Sequence, residues 1–197
     1  MKYSTRNREE LSRTERHYRL AKYIIFISLT LFFYVLMRIG VFGMWQPVFI
    51  IPLAVSFAMY RDELASCLFA LFCGYMTDIA YGFTFGFSAV WLMAVCVLTA
   101  VMVRNLIRVN IINFMIITLI AVFIEFSMDY LFNVVIWNVP RGDIILTASI
   151  IPTAIATLAA APAVYLLVGV IEQRLGKTGV IVAYYGPAQE TEQEEED

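Results

Sequence analysis

Charge is what this sequence has least of. Of its 197 residues only 15% are Asp, Glu, Lys or Arg, while 61% are hydrophobic; soluble domains carry roughly 25% and roughly 45–50%. The mean hydropathy is +0.77. A soluble fold of this composition would expose more apolar surface than it could cover, so lipid is the expected solvent. The length suits one helical bundle and leaves no room for a second globular domain. Histidine is nearly absent. The one present, His17, sits in a polar N-terminal stretch, which excludes a Ser-His-Asp or Cys-His arrangement inside the membrane. Cysteine is scarce too. Cys67, Cys73 and Cys96 fall inside apolar runs without metal-ligand spacing, so they read as small packing residues. No phosphate-binding glycine loop, zinc motif or cleavable leader is recognisable. Asp78 and Asp129 lack the G-x-G-D context of intramembrane aspartyl proteases, so no catalytic role, metal or cofactor is expected.

What is present is a series of long apolar runs. A polar, basic tail (1–22) precedes a membrane domain (23–171), and a second tail (172–197) ends in six acidic residues between Glu190 and Asp197. Six spans are expected, at about Tyr23–Val41, Trp45–Tyr60, Leu64–Tyr81, Phe87–Val103, Ile111–Val139 and Ile144–Ile171. The second is short and holds Pro47 and Pro52, which suggests a kinked span or a thinned membrane. Pro152 and Pro162 are expected kinks in the sixth.

If the N-tail is cytoplasmic, twelve of the fourteen cations lie inside and only Arg38 and Arg141 outside. That asymmetry sets both termini in the cytoplasm, with Trp45 and Trp137 near the outer interface. The basic N-tail faces anionic headgroups more simply than nucleic acid. The segment 178–186 is rich in Val, Ile and Tyr, which favours a strand or interfacial strip that docks a partner; the alternative is a disordered start to the acidic tail.

Charges inside spans are the informative positions, because each costs about 2.5–3.5 kcal/mol near a helix centre. Arg38, Asp78 and Glu125 fall at similar depth toward the outer side, and Asp129 lies one turn beyond Glu125 on the same face. One reading is a buried ion-pair knot in which Arg38 neutralises one or two carboxylates. The other is an outward polar cavity that takes a ligand or conducts protons. Gly74, Asp78, Gly82 and Gly86 recur every four residues, the first two on one helix face where Gly permits close approach. Gly82 and Gly86 fit an outer turn. In the sixth span Ser149, Thr153, Thr157 and Ala161 share a face, which is either internal packing or a dock for a partner's transmembrane helix.

One set of residues carries a family resemblance. A span led in by Gln46-Pro47-Val48 is followed by the turn Tyr60-Arg61-Asp62-Glu63 and then by the G-x-x-x-D-x-x-x-G-x-x-x-G run from Gly74 to Gly86. With the basic turn Arg104-Asn105-Leu106-Ile107-Arg108, this resembles the rod shape-determining protein MreD family over about Trp45–Ile171. The resemblance implies a non-enzymatic subunit of the bacterial elongation machinery (elongasome) in the cytoplasmic membrane, supporting lateral peptidoglycan synthesis in the cell wall. Its implied partner is MreC, a single-span membrane protein, with MreB, RodA and RodA's transpeptidase partner in the same complex. It also implies the six-helix fold of the substrate-binding S-components of energy-coupling-factor transporters. A vitamin-binding S-component is therefore the alternative function, to be distinguished by an outward cavity with ligand-specific polar groups.

Overall fold

The computed structural model describes the backbone of residues 3–40, 46–81, 86–105, 109–136 and 146–194, with side chains within 20–174. Every regular element among them is helical. These are α1 (Tyr3–Ile39), α2 (Ile50–Tyr60), α3 (Glu63–Tyr81), α4 (Phe87–Asn105), α5 (Ile111–Tyr130) and α6 (Ile151–Glu194). A π-helical turn, Leu131–Val135, continues α5, and another, Leu146–Ile150, precedes α6. Five stretches are long and apolar enough to cross a membrane: Leu20–Ile39, Glu63–Tyr81, Phe87–Asn105, Ile111–Tyr130 and Leu146–Arg174. The chain is therefore compatible with a multi-pass helical membrane bundle. It divides into two compact units, Met1–Leu29 with Gly169–Asp197, and Thr30–Val168.

The second expected span differs from the rest. Its helix has only 11 residues, about 16 Å at 1.5 Å per residue. Gln46, Pro47 and Val48 lead into it as non-helical backbone. Pro52 lies in the first turn of α2, where its missing N–H disturbs nothing, so no kink is needed there. Every residue from Ile50 to Met59 is buried. A helix apolar on all sides fits only where other helices surround it. Phe57 packs its ring against Phe69 of α3 at 4.1 Å, and Phe49 stacks on Phe33 of α1 at 5.1 Å.

The C-terminal region is also corrected. The backbone stays helical through 178–186 and on to Glu194, not the strand that its Val, Ile and Tyr content favours. Strand preference is weak and context-dependent, whereas each residue added to an existing helix gains a hydrogen bond. In the unit made by the chain ends, Lys22 of α1 and Glu172 of α6 form a 2.8 Å ion pair, both side chains about 15% exposed. Gly82, Trp45, Trp137 and the loop 140–143 lie outside the described residues.

Candidate functional site: a clasped helical hairpin

The unit Thr30–Val168 is organised around the α3–α4 hairpin, and the Gly/Asp run builds it. Gly74 lies where α3 crosses α4. A Cβ there would sit 2.6 and 2.9 Å from backbone atoms of Ala89 and Ser88, so only glycine allows this approach. One turn on, Asp78 is 1% exposed and accepts hydrogen bonds from the backbone N–H groups of Gly86 (2.8 Å) and Ser88 (3.1 Å). These N–H groups open α4. The first N–H groups of a helix have no internal partner and carry its positive dipole end. Asp78 thus caps α4 from the neighbouring helix, as an N-cap side chain would from within. Gly86 has φ +84°, a conformation that suits glycine and lets the chain turn into α4. At the other end of the hairpin Arg104 donates to both oxygens of Glu63, at 2.9 and 3.2 Å.

Among the described residues Arg38 does not join the expected ion-pair knot. Arg38 is exposed and donates instead to the carbonyl of Ala80, in the last turn of α3 (3.2 Å). A cation at a helix C-terminus meets unsatisfied carbonyls and the negative dipole end. Arg38 and Asp78 share a depth, as the residue count indicates, but each is taken by backbone. Glu125 is buried on α5 within electrostatic reach of Asp78, Asp129 and the Ser88 side chain. Asp78 and Glu125 are thus brought together without the arginine. Among the described residues no group of three His, Cys, Asp or Glu could hold a metal ion.

The lead-in to α2 forms a second polar arrangement. Gln46 donates its side-chain amide to the Met37 carbonyl at the end of α1, and its own carbonyl accepts the Tyr81 hydroxyl at 3.5 Å. Pro47 is buried and has no N–H to satisfy. Val48 donates its N–H to the Thr157 hydroxyl of α6 (2.9 Å), and that hydroxyl donates in turn to the Thr153 carbonyl (2.7 Å). Non-helical backbone is tolerated at membrane depth only when its polar groups find such partners.

That arrangement corrects the candidate partner face. Thr153, Thr157 and Ala161 are buried within the chain and so cannot dock another protein's helix; only Ser149 of the four is exposed. The residues that close this network from elsewhere, Gln46, Tyr81 and Ser88, carry no recognisable signal beyond Gln46 preceding a proline and Ser88 opening a helix. Two clefts lie between helices of the described residues, and neither is lined by Arg38, Asp78, Glu125 or Asp129. One, of about 240 Å³, lies between α4 and α5 and is lined by Val95, Leu98, Ile116 and Ile120. The other, of about 420 Å³, lies between α5 and α6 and is lined by Phe123, Phe126 and residues of both π-helical turns. Both are almost wholly apolar in lining.

Comparison with known proteins finds no match to any family model, curated protein or solved structure.

Proposed function

We propose that the chain is a non-enzymatic scaffold subunit of the bacterial cell-elongation complex, of the MreD type, which holds the membrane span of an MreC-like partner in the cytoplasmic membrane. The observation that carries this reading is the hairpin. The run from Gly74 to Gly86, on which the family resemblance rests, has a structural purpose at Gly74, Asp78 and Gly86. Its acid is consumed by a helix terminus and is not held open toward a ligand.

The Lys22–Glu172 pair supports termini on the same side, because it joins the start of the first long apolar stretch to the end of the last. The number of crossings is then even, and α2 provides the sixth. Its 11 residues and the helical Phe49 before them supply about 18 Å, and the non-helical residues 46–48 add at most about 10 Å at roughly 3.3 Å each. The sum is close to the ~30 Å hydrocarbon core.

Purification in mild detergent from a rod-shaped bacterium tests the reading. The chain should carry a single-span MreC-like protein with it, and Asp78→Ala should weaken that association and round the cells. Normal rods with intact association in Asp78→Ala would overturn the role given to the hairpin. Tight vitamin binding or a co-purifying ATPase module would replace the scaffold by the transporter.

A further inference from the structure

We propose that the cleft between α5 and α6 seats one acyl chain of a membrane phospholipid, taken from the leaflet that contains the α5–α6 connection. Only the membrane crossing of α5 and α6 is required for this, not the scaffold role.

The two helices meet at one end and part at the other. Near the start of α5, Phe114 packs its ring against Tyr165 of α6, with centroids 4.8 Å apart. Phe114 is fully buried there. One to two turns away, from Leu119 on α5 and Leu158 on α6, the cleft of about 420 Å³ begins. Leu119 to Tyr130 is about 16 Å at 1.5 Å per residue, and half of the ~30 Å hydrocarbon core is one leaflet. The cleft therefore starts close to mid-membrane and runs through a single leaflet to the end of α5.

That shape selects the occupant. A partner's transmembrane helix crosses both leaflets and is about 10–12 Å wide with its side chains. Along this seam it would meet the Phe114–Tyr165 contact in the second leaflet. An acyl chain ends at mid-membrane, as the cleft does. The volume agrees: at ~30 Å³ for a group the size of water or a methylene, 420 Å³ holds on the order of a dozen methylenes. Left empty, the cleft would deprive its apolar lining of dispersion contacts on one side. Phe123 and Ile151 line it while 71% and 44% exposed, so a chain can enter sideways from the surrounding lipid.

The lining changes along its length in the same sense. Leu119 and Leu158 form the deep end. Ser127 and Tyr130, which carry hydroxyls, belong to the last turn of α5, toward the level of the lipid's ester groups. The two π-helical turns, Leu131–Val135 and Leu146–Ile150, both contribute to this end, one from each helix. Such turns make up well under 1% of residues and occur frequently at functional sites. Here two of them converge on one mouth.

Native mass spectrometry tests this on the full chain, transferred from liposomes of phosphatidylethanolamine and phosphatidylglycerol into mild detergent. One phospholipid should stay bound per chain. Ala154→Phe and Leu158→Phe fill the cleft and should each lose most of that lipid. Ile155→Phe, on an exposed residue outside the lining, should keep it. A phospholipid with a diazirine at the end of one acyl chain should label Leu119 and Leu158 of the unaltered chain above the exposed residues of α1, a readout that stands even if the filled variants do not fold. No retained phospholipid, equal retention in folded filled variants, or label without excess at Leu158 would each overturn the assignment. Cross-linking of Ala154→Cys to a single-span protein would also overturn it, giving the cleft to a partner's helix while leaving the scaffold role in place.

Discussion

The two ends of the α3–α4 hairpin use the same functional group in opposite settings. At one end Asp78, almost fully buried, accepts two backbone N–H groups. At the other, Glu63 meets Arg104, whose side chain is 70% exposed. Both close the hairpin geometrically, yet their energetic weight differs. An exposed ion pair competes with water and salt and contributes little, whereas a buried N–H deprived of its acceptor bears the whole cost of its lost hydration. In a bundle that has few polar groups, the weight of each is set by its burial and not by its formal charge.

That contrast is broken most strongly at Asp78. Asp78→Ala leaves two N–H groups at the start of α4 without an acceptor and should destabilise the protein by about 3 kcal/mol, measured by reversible unfolding in mixed detergent micelles. Asp78→Asn retains one oxygen acceptor and should lose about half as much. Gly74→Ala probes the middle of the same hairpin. Its new methyl meets the backbone of Ser88 and Ala89, so the helices must separate, at about 2 kcal/mol. Thr157→Val keeps the shape but removes the acceptor of the Val48 N–H; a loss of about 1–2 kcal/mol is expected. Glu63→Gln should be the mildest, with no change outside the scatter of the same unfolding measurement. A large effect at Glu63 together with a small one at Asp78 would reverse the comparison.

The sequence carried the helices well because lipid enforces a simple rule: apolar runs of sufficient length become spans. Rise per residue is constant, so a residue count can also compare the heights of Arg38 and Asp78 along their helices. Azimuth and partner are another matter. Arg38 and Asp78 share a level, and a residue count cannot tell that one turns to the Ala80 carbonyl and the other to the Gly86 and Ser88 N–H groups. Backbone donors and acceptors have no residue identity, so a carboxylate bound to them looks unpaired in sequence. Thr153, Thr157 and Ala161 show the converse ambiguity. Small polar residues on one face suit any close helix contact, and nothing local distinguishes a neighbour in the same chain from one in another. The close approach at Gly74 was legible because glycine alone provides it; the internal use of Thr157 was not, because its donor lies in the lead-in to α2.

The bond between Val48 and Thr157 spans 109 residues. At a synthesis rate of about 5–20 residues per second, the Val48 N–H waits on the order of ten seconds for its acceptor to be made. Until then α2, too short to cross by itself and led in by backbone that lipid cannot solvate, has no finished place in the membrane. The last helix is therefore the step that commits the second, and a ribosome stalled before Thr157 should leave the Gln46–Tyr60 stretch accessible to water-soluble thiol reagents when a cysteine is placed there.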